Sequence, residues 1–496
     1  MNSSYVRIPE SISIKSIEKK GFTLSSSQYV DLVMPNKNYK LVRDFLSRPL
    51  KRSDLGVEVG SLNYISQSPF YFLRTKALQP YSFLPEITSE SALPVMPSVF
   101  VKQNLKEGDL LISKDSNIGE IVILEKDYPN FMTSGAIYKL SVIEHKYYLL
   151  AFIKHQIFRE QLDFMVPKGA TIRHAKTMFL DCKIPLPNKD AAKTMKFVEV
   201  LVQAIIDKEK LIKEKHKKIL ETIEQELQSN QKEKTFVFGF PKFQEIETST
   251  RLDTGIYSKQ FKQIDFLIKN YSNRFTFIDE NKIKSGNTPI IRYIDNDPRL
   301  KYRWVTPTNC SDIGYISIDE RINLKGNNNI NEDCILLVNR TSKGGGGEYV
   351  GIANYYDYKE LGKGHHNQGL YKIFDYPQEY LIFILCFLNS EMIRKYCAGL
   401  SVGSKMKELK SEHFLKIPIP NFSTEKQNEI VQLFHNQSID YNTKDWNLDN
   451  FLVKDKKFNN AAGIYELDKT AKQLKTKLNF AIDNIINDKP VKIDFV

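Results

Sequence analysis

Four short polar loops carry the side chains in this sequence that could do directed chemistry. The first is Lys114-Asp115-Ser116-Asn117-Ile118-Gly119, and the second is Pro167-Lys168-Gly169-Ala170-Thr171-Ile172-Arg173-His174. The third, Asn339-Arg340-Thr341-Ser342-Lys343 with Gly344 to Gly347, and the fourth, Gly403-Ser404-Lys405-Met406-Lys407, lie in the other half of the chain. Glycine lets backbone come close to a ligand, while ammonium, guanidinium, hydroxyl and carboxamide groups offer the donors that phosphate oxygens and base edges accept. The candidate contacts are therefore Lys114, Asn117, Lys168, Thr171 and Arg173 in the first half, and Arg340, Thr341, Lys343, Ser404, Lys405 and Lys407 in the second. A solvated turn is the competing reading of each loop.

Bond-breaking chemistry has no such candidates. Methyl transfer to a flipped base calls for an Asn- or Asp-Pro-Pro-aromatic tetrapeptide and a glycine-rich loop for S-adenosylmethionine, and neither is in the sequence. ATP binding calls for Gly-x-x-x-x-Gly-Lys-Ser/Thr, which is also missing. The cluster Gly344 to Gly347 runs into Glu348-Tyr349 without the Lys-Ser/Thr ending, so it reads as a flexible contact loop. His365 and His366 are adjacent with no carboxylate at helical spacing, and His174 stands alone; all three read as solvent-exposed polar side chains, not metal ligands. The five cysteines never fall in Cys-x-x-Cys spacing, which leaves buried thiols as the expectation. No cofactor is expected in this chain.

The elements that must position the loops follow from local pattern. Gly108-Asp109 turns into the apolar run Leu110-Leu111-Ile112-Ser113, and the 114–119 loop returns it to the strand Glu120 to Leu124. The amphipathic segment from Tyr147 to Phe164 precedes the second loop, and Ile184-Pro185-Leu186-Pro187-Asn188 follows it. From Lys189 to Lys234 there is no proline or glycine, and Val198, Ile205, Ile212 and Ile219 recur at every seventh position. That predicts one long helix, roughly 65 Å at about 1.5 Å per residue, too long to sit inside one core. Its charged run from Lys208 to Lys218 suggests a DNA-binding helix, and a solvated, charge-alternating face of a coiled coil explains it as well.

The same order then repeats. Glu332 to Val338 corresponds to the 108–113 strand, the loop at 339–347 to that at 114–119, the segment from Tyr380 to Tyr396 to 147–164, and the loop at 403–407 to that at 168–173. Ile417-Pro418-Ile419-Pro420-Asn421 repeats the Pro-x-Pro turn at an offset of 233 residues, and Gly169 to Pro185 spans 16 residues where Gly403 to Pro418 spans 15. After it, Ser423 or Thr424 with Gln427 reads as a capping box. Polar text from Asn442 to Asn460 interrupts the helical pattern, which resumes as Leu467, Ala471, Leu474, Leu478, Ala481 and Ile485, a coiled-coil seam that needs the first long helix as its partner.

Length and charge agree with this plan. At 496 residues the chain suits two to four domains, and its net charge of +12 points to a polyanion partner. The apolar run from Tyr380 to Leu388 is too short to cross a bilayer and Met1-Asn2-Ser3-Ser4 opens no signal peptide, so a cytoplasmic protein with no membrane partner is the expectation.

Two similar domains, each closed by a Gly-bearing loop, a Pro-x-Pro turn and a long helix, resemble the specificity (S) subunit of type I DNA restriction-modification systems. The residues that carry this are Gly108-Asp109-Leu110-Leu111-Ile112-Ser113, Gly169-Ala170-Thr171 and Ile184-Pro185-Leu186-Pro187, with Gly403-Ser404, Ile417-Pro418-Ile419-Pro420 and Gln427. The resemblance implies an α/β (mixed α+β) fold of two target-recognition domains, 1–188 and 235–422. A spacer helix at 189–234 and an interrupted helical region at 423–496 would pair as an antiparallel coiled coil. It implies a non-catalytic subunit that reads a bipartite double-stranded DNA target. Two methyltransferase subunits and the restriction subunits would join it, and S-adenosylmethionine, ATP and magnesium would belong to those partners. The alternative is a stand-alone metal-dependent nuclease, which incubation of the purified chain with DNA and magnesium discriminates.

Overall fold

The computed structural model describes residues 5–19, 21–22, 24, 29–166, 175–233, 235–289, 293–295, 297–318, 320–323, 329–341, 349–404 and 406–495. The chain divides into two compact units: Met1–Ile212 with Asp440–Ala461 and Leu467–Val496, and Lys213–Ile439 with Ala462–Glu466.

In the first unit the strand Leu110–Ser113 lies between Ile121–Ile123 and Ile137–Leu140, antiparallel to both. Leu110 and Ile112 enter one apolar core and Leu111 enters another, which is why the run is apolar at every position instead of alternating. A second sheet sets Tyr71–Leu73 between Ala92–Pro94, antiparallel, and Phe131–Thr133, parallel. Lys183–Pro185, the start of the Pro-x-Pro turn, pairs with Tyr39–Leu41.

The second unit repeats these pairings. Cys334–Val338 lies between Ala353–Tyr356 and Leu370–Ile373, Tyr302–Val305 runs parallel to Gly364–His366, and Ile419–Pro420 pairs with Phe275–Thr276. The amphipathic segment expected as one helix is two in each unit, Lys146–Lys154 with Gln156–Met165 and Gln378–Leu388 with Glu391–Leu400. Each break contains a residue in extended conformation: His155, whose ring accepts from the Ile157 N–H at 3.3 Å, and Ser390, whose hydroxyl donates back to Phe387 O at 2.7 Å.

Two pairs of glycines mark the repeat at the backbone level. Gly119 and Gly351 both have positive φ, +78° and +87°, and donate to Ser113 O at 2.9 Å and Val338 O at 2.7 Å. At Gly56 and Gly286 the main chain passes so close to its neighbour that a Cβ would collide with the carbonyls of Thr133 and Ser134, or of His366 and Asn367.

The long helix is Ala191–Ser229, with residues to Ile212 in the first unit and from Lys213 in the second. In the first unit Val198, Leu201, Val202 and Ile205 share a core with Leu474, Leu478, Ala481, Ile482 and Ile485 of the helix Ile464–Ile486. Asn36 ties the end of that helix to the Pro-x-Pro turn, donating to Leu186 O at 2.8 Å and Ile485 O at 2.9 Å.

Part of the polar stretch after Asn442 is itself a helix, Phe451–Ala461, and its buried face is Phe451, Asp455, Phe458 and Asn459. That is ordinary amphipathic spacing, concealed because two of the four inward positions are polar. They are polar because they receive Lys208. Its ammonium is fully buried, 2.7 Å from Asp455 Oδ1 and 2.5 Å from Asn459 Oδ1, with the rings of Tyr441 and Phe458 at 4.9 and 5.1 Å. Lys208 is thus no part of a solvated face. Asp455→Ala, which strands the buried ammonium, is expected to destabilise the first unit by about 3–5 kcal/mol. The double variant Lys208→Met/Asp455→Leu is expected to recover most of that, as read from denaturant unfolding through Trp446, which packs on Tyr441 and Phe451.

Candidate nucleic-acid interface

In each unit the loop that leaves the central strand is clamped to the chain that leads into the Pro-x-Pro turn. Ala175 donates its N–H to Lys114 O at 2.8 Å, and Leu409 donates its N–H to Asn339 O at 2.7 Å. These bonds use only main chain, so the rim around them is free to carry any side chains.

In the second unit the clamp extends into a two-stranded ladder, in which Arg340 faces Glu408 and Thr341 faces Lys407. The Arg340 guanidinium reaches Glu408 Oε1 at 2.6 Å, and both side chains keep about a third of their surface exposed. Ser404 and half-exposed Met406 stand on the turn before the ladder, where Gly403 takes φ of +97°. The structure thus brings Arg340, Thr341, Ser404 and Lys407 together. Lys343 and Lys405 lie outside the described residues.

In the first unit Lys114 is partly buried and ion-paired with Asp115, whose main-chain carbonyl accepts from Ser113 Oγ at 2.6 Å. The Asn117 amide points to Thr75 O and Leu78 O, both at 3.4 Å, so it fastens the loop to the neighbouring turn. Lys168, Thr171 and Arg173 lie outside the described residues, as does His174. Behind the loop, Lys154 approaches Glu120 at 3.8 Å, and burial pushes its ammonium down to about 8.

The clamp also exposes residues that motif reading passed over. Lys176 and Lys410 each follow the clamping N–H by one residue, Thr177 and Ser411 come next, and all four are exposed. Their offset of 234 residues matches that of the Pro-x-Pro turns to within one, which is the signal that could have found them.

The histidine pair is not on the surface. His365 and His366 are 4 % and 0 % exposed, because their strand Gly364–His366 is covered on both faces. His365 stacks on Trp304 and meets Asn287 Oδ1 at 2.5 Å, while burial pushes the pKa of His366 down to about 3. Among the described residues no group of three or more His, Cys, Asp or Glu side chains could hold a metal ion, and no helix is long and apolar enough to cross a membrane.

This chain is similar to solved specificity subunits of type I restriction-modification systems. The S subunit from M. genitalium matches over 92% of this chain and 96% of its own, at 12% identity and a TM-score of 0.40. The HsdS subunit from Thermoanaerobacter tengcongensis matches over 91% and 97%, at 12% identity and a TM-score of 0.24. A structure described as the basis of complex assembly and conformational transition of the type I R-M system matches over 91% and 98%, at 14% identity and 0.27. No family model and no curated protein matches the chain.

Two outcomes are expected, one for the buried histidine and one for the rim lysines. His366 is neutral in the fold and the unfolded chain takes up its proton first, so stability is full above the ordinary value of 6.5 and is lost as pH falls from there toward 3. Between pH 7 and pH 5 the second unit is expected to lose about 2 kcal/mol more than a His366→Gln variant does, measured by unfolding through Trp304. If these rims meet the phosphates of a duplex, Lys176→Ala and Lys410→Ala each weaken binding across sequences and lower the salt slope by about 1, as measured by DNA titration at several ionic strengths; an unchanged slope excludes that contact.

Proposed function

We propose that this chain is the sequence-reading subunit of a type I restriction-modification assembly and does no bond-breaking itself. Each unit reads one half of a split DNA target. The long helix and its partner helix act as an antiparallel coiled-coil spacer that fixes the gap between the halves. A separate adenine methyltransferase, in two copies, and restriction subunits act where the chain directs them; these partners are what the motifs of the two halves imply by their resemblance.

The observation that carries this reading is the duplication of one clamp, Ala175 on Lys114 and Leu409 on Asn339, with exposed basic and hydroxyl side chains beside each. A reader of a split target needs the same frame twice, and the duplicated clamp supplies it. The net charge of +12 supports a polyanion as the ligand.

The work of reading divides in two. Lysines such as Lys176, Lys410 and Lys407 would bond phosphates and set the orientation of each unit on the duplex. Arg340 keeps part of its guanidinium free beside Glu408 and would read a base edge, as would Thr171, Arg173, Thr341 and Ser404, whereas Asn117 is turned inward and would hold its loop in place. Each good bidentate pair discriminates against the wrong base by about 1–3 kcal/mol. Lys168, Lys343 and Lys405 complete the set of contacts, while Lys114 is held by Asp115.

Co-expression with a methyltransferase encoded beside this chain, followed by mapping of methylated adenines across a genome, tests the proposal. A split motif with one fixed gap is the expected result. A short continuous motif, or methylation that does not depend on this chain, overturns it.

A further inference from the structure

The segment 75–86 of the first unit is where the helix pair and the candidate recognition loop meet. On one side it is bound by the helices: Glu209 Oε2 accepts from the Phe83 N–H at 2.8 Å and from Ser82 Oγ at 3.2 Å, and Lys475 donates to Tyr81 O at 2.9 Å. Lys475 also donates to Glu209 Oε1 at 2.7 Å, so one carboxylate holds both the segment and the partner helix. On the other side the segment carries the loop, because Thr75 O and Leu78 O receive the Asn117 amide. Lys154 closes the middle by donating to Gln79 O at 2.5 Å, and Ile123 of the loop's own hairpin donates to Phe83 O at 2.9 Å.

The end of the segment that meets the helices is anchored. Phe83 and Leu84 are buried in the unit's main core, and Ser82 closes a tight turn on Leu84 with bonds in both directions. The bonds of Glu209 to Phe83 and Ser82, of Ile123 to Phe83 O, of Lys154 to Gln79 O and of Asn117 to Thr75 O and Leu78 O at 3.4 Å connect the helix pair to the loop through this segment. A contact that discriminates between bases has to be held to within about half an ångström, so what supports the loop decides what it selects.

We propose that Glu209 is a positioning residue for base selection by the first unit: with Lys475 it sets where the 75–86 segment stands against the helix pair, and the segment sets where the 114–119 loop stands. This rests on the reading of the chain as a DNA-recognition subunit. Neither Glu209 nor Lys475 is assigned a contact with DNA.

The test uses the full chain and randomised duplex DNA, enriched by repeated capture at fixed salt and sequenced, with affinities then measured for the best duplex and for single mismatches. The wild type is expected to enrich two blocks, and Arg340→Ala marks the block that the second unit reads. Glu209→Ala is expected to reduce mismatch discrimination in the other block by about tenfold while the Arg340 block and the salt slope stay as they are. Lys475→Met keeps a helix-forming, well-packed side chain and is expected to give a smaller loss in the same block, so it decides the matter if Glu209→Ala does not fold. Glu209→Gln, which keeps the size of the side chain and an acceptor oxygen for the Phe83 N–H, is expected to retain most of the discrimination, a rescue that separates positioning of the segment from a general loss of stability in the first unit. Unchanged discrimination in both blocks, or an equal loss in both, overturns the inference. If the wild type enriches no sequence, the functional reading itself fails, which is a different result from a wild type that selects two blocks and a variant that still does.

Discussion

A helix as long as Ala191–Ser229 has an apolar stripe that must be covered along its whole length, and the rest of the molecule follows from how that is done. In a protein most of a helix's stability comes from packing of such a face and not from propensity. In the first unit Val198, Leu201, Val202 and Ile205 are sealed by the helix Ile464–Ile486, each buried side chain contributing about 1.5–3 kcal/mol. In the second, Ile219, Ile223 and Leu227 are buried, and the helix end is held by Tyr271 on Glu226 at 2.7 Å and by Gln231 on Leu267 O at 2.8 Å. Each unit therefore folds on its own stretch of the same rod. Where the stripe turns polar, at Lys208, cover of a different kind is needed, and Asp455 and Asn459 supply it.

Each unit repeats a frame held largely by main-chain bonds. The central strand, the positive-φ glycine after its loop, the tight crossing at Gly56 or Gly286, and the clamp onto Ala175 or Leu409 recur in the same order. A frame fixed by backbone tolerates side-chain change at its rim, since no rim side chain is needed to close it.

How much of this was legible in the sequence depended on whether a residue declared its role through spacing. The long helix was, because Val198, Ile205, Ile212 and Ile219 keep their period and no glycine or proline breaks it. The central strands were, because a run such as Cys334–Val338 is apolar throughout. The helix Phe451–Ala461 was hidden by the polar residues that meet Lys208, and Lys208 itself by a run of charges that resembles any solvated face. His365 and His366 read as surface because nothing in a dipeptide tells how many layers cover its strand. Gly56 and Gly286 were passed over because close approach of two backbones leaves no pattern along one of them. Of the site, the loops were legible and the pairings were not: that Arg340 would meet Glu408, or that Asn117 would turn inward to Thr75 and Leu78, depends on which strands lie side by side.

The clamp also lets the two rims be compared position by position. One residue beyond it stands Asp115 in the first unit and Arg340 in the second. Asp115 takes its cation from the adjacent Lys114, within the same loop, whereas Arg340 takes its anion from Glu408, across the ladder. The first arrangement neutralises the rim locally and leaves its polar reach to the residues around it; the second holds a guanidinium in a fixed plane with part of its fork still open. Opposite charges at matched positions of one backbone frame present different donor patterns, and under the proposed function that is the physical means by which one duplicated fold reads two different half-sites.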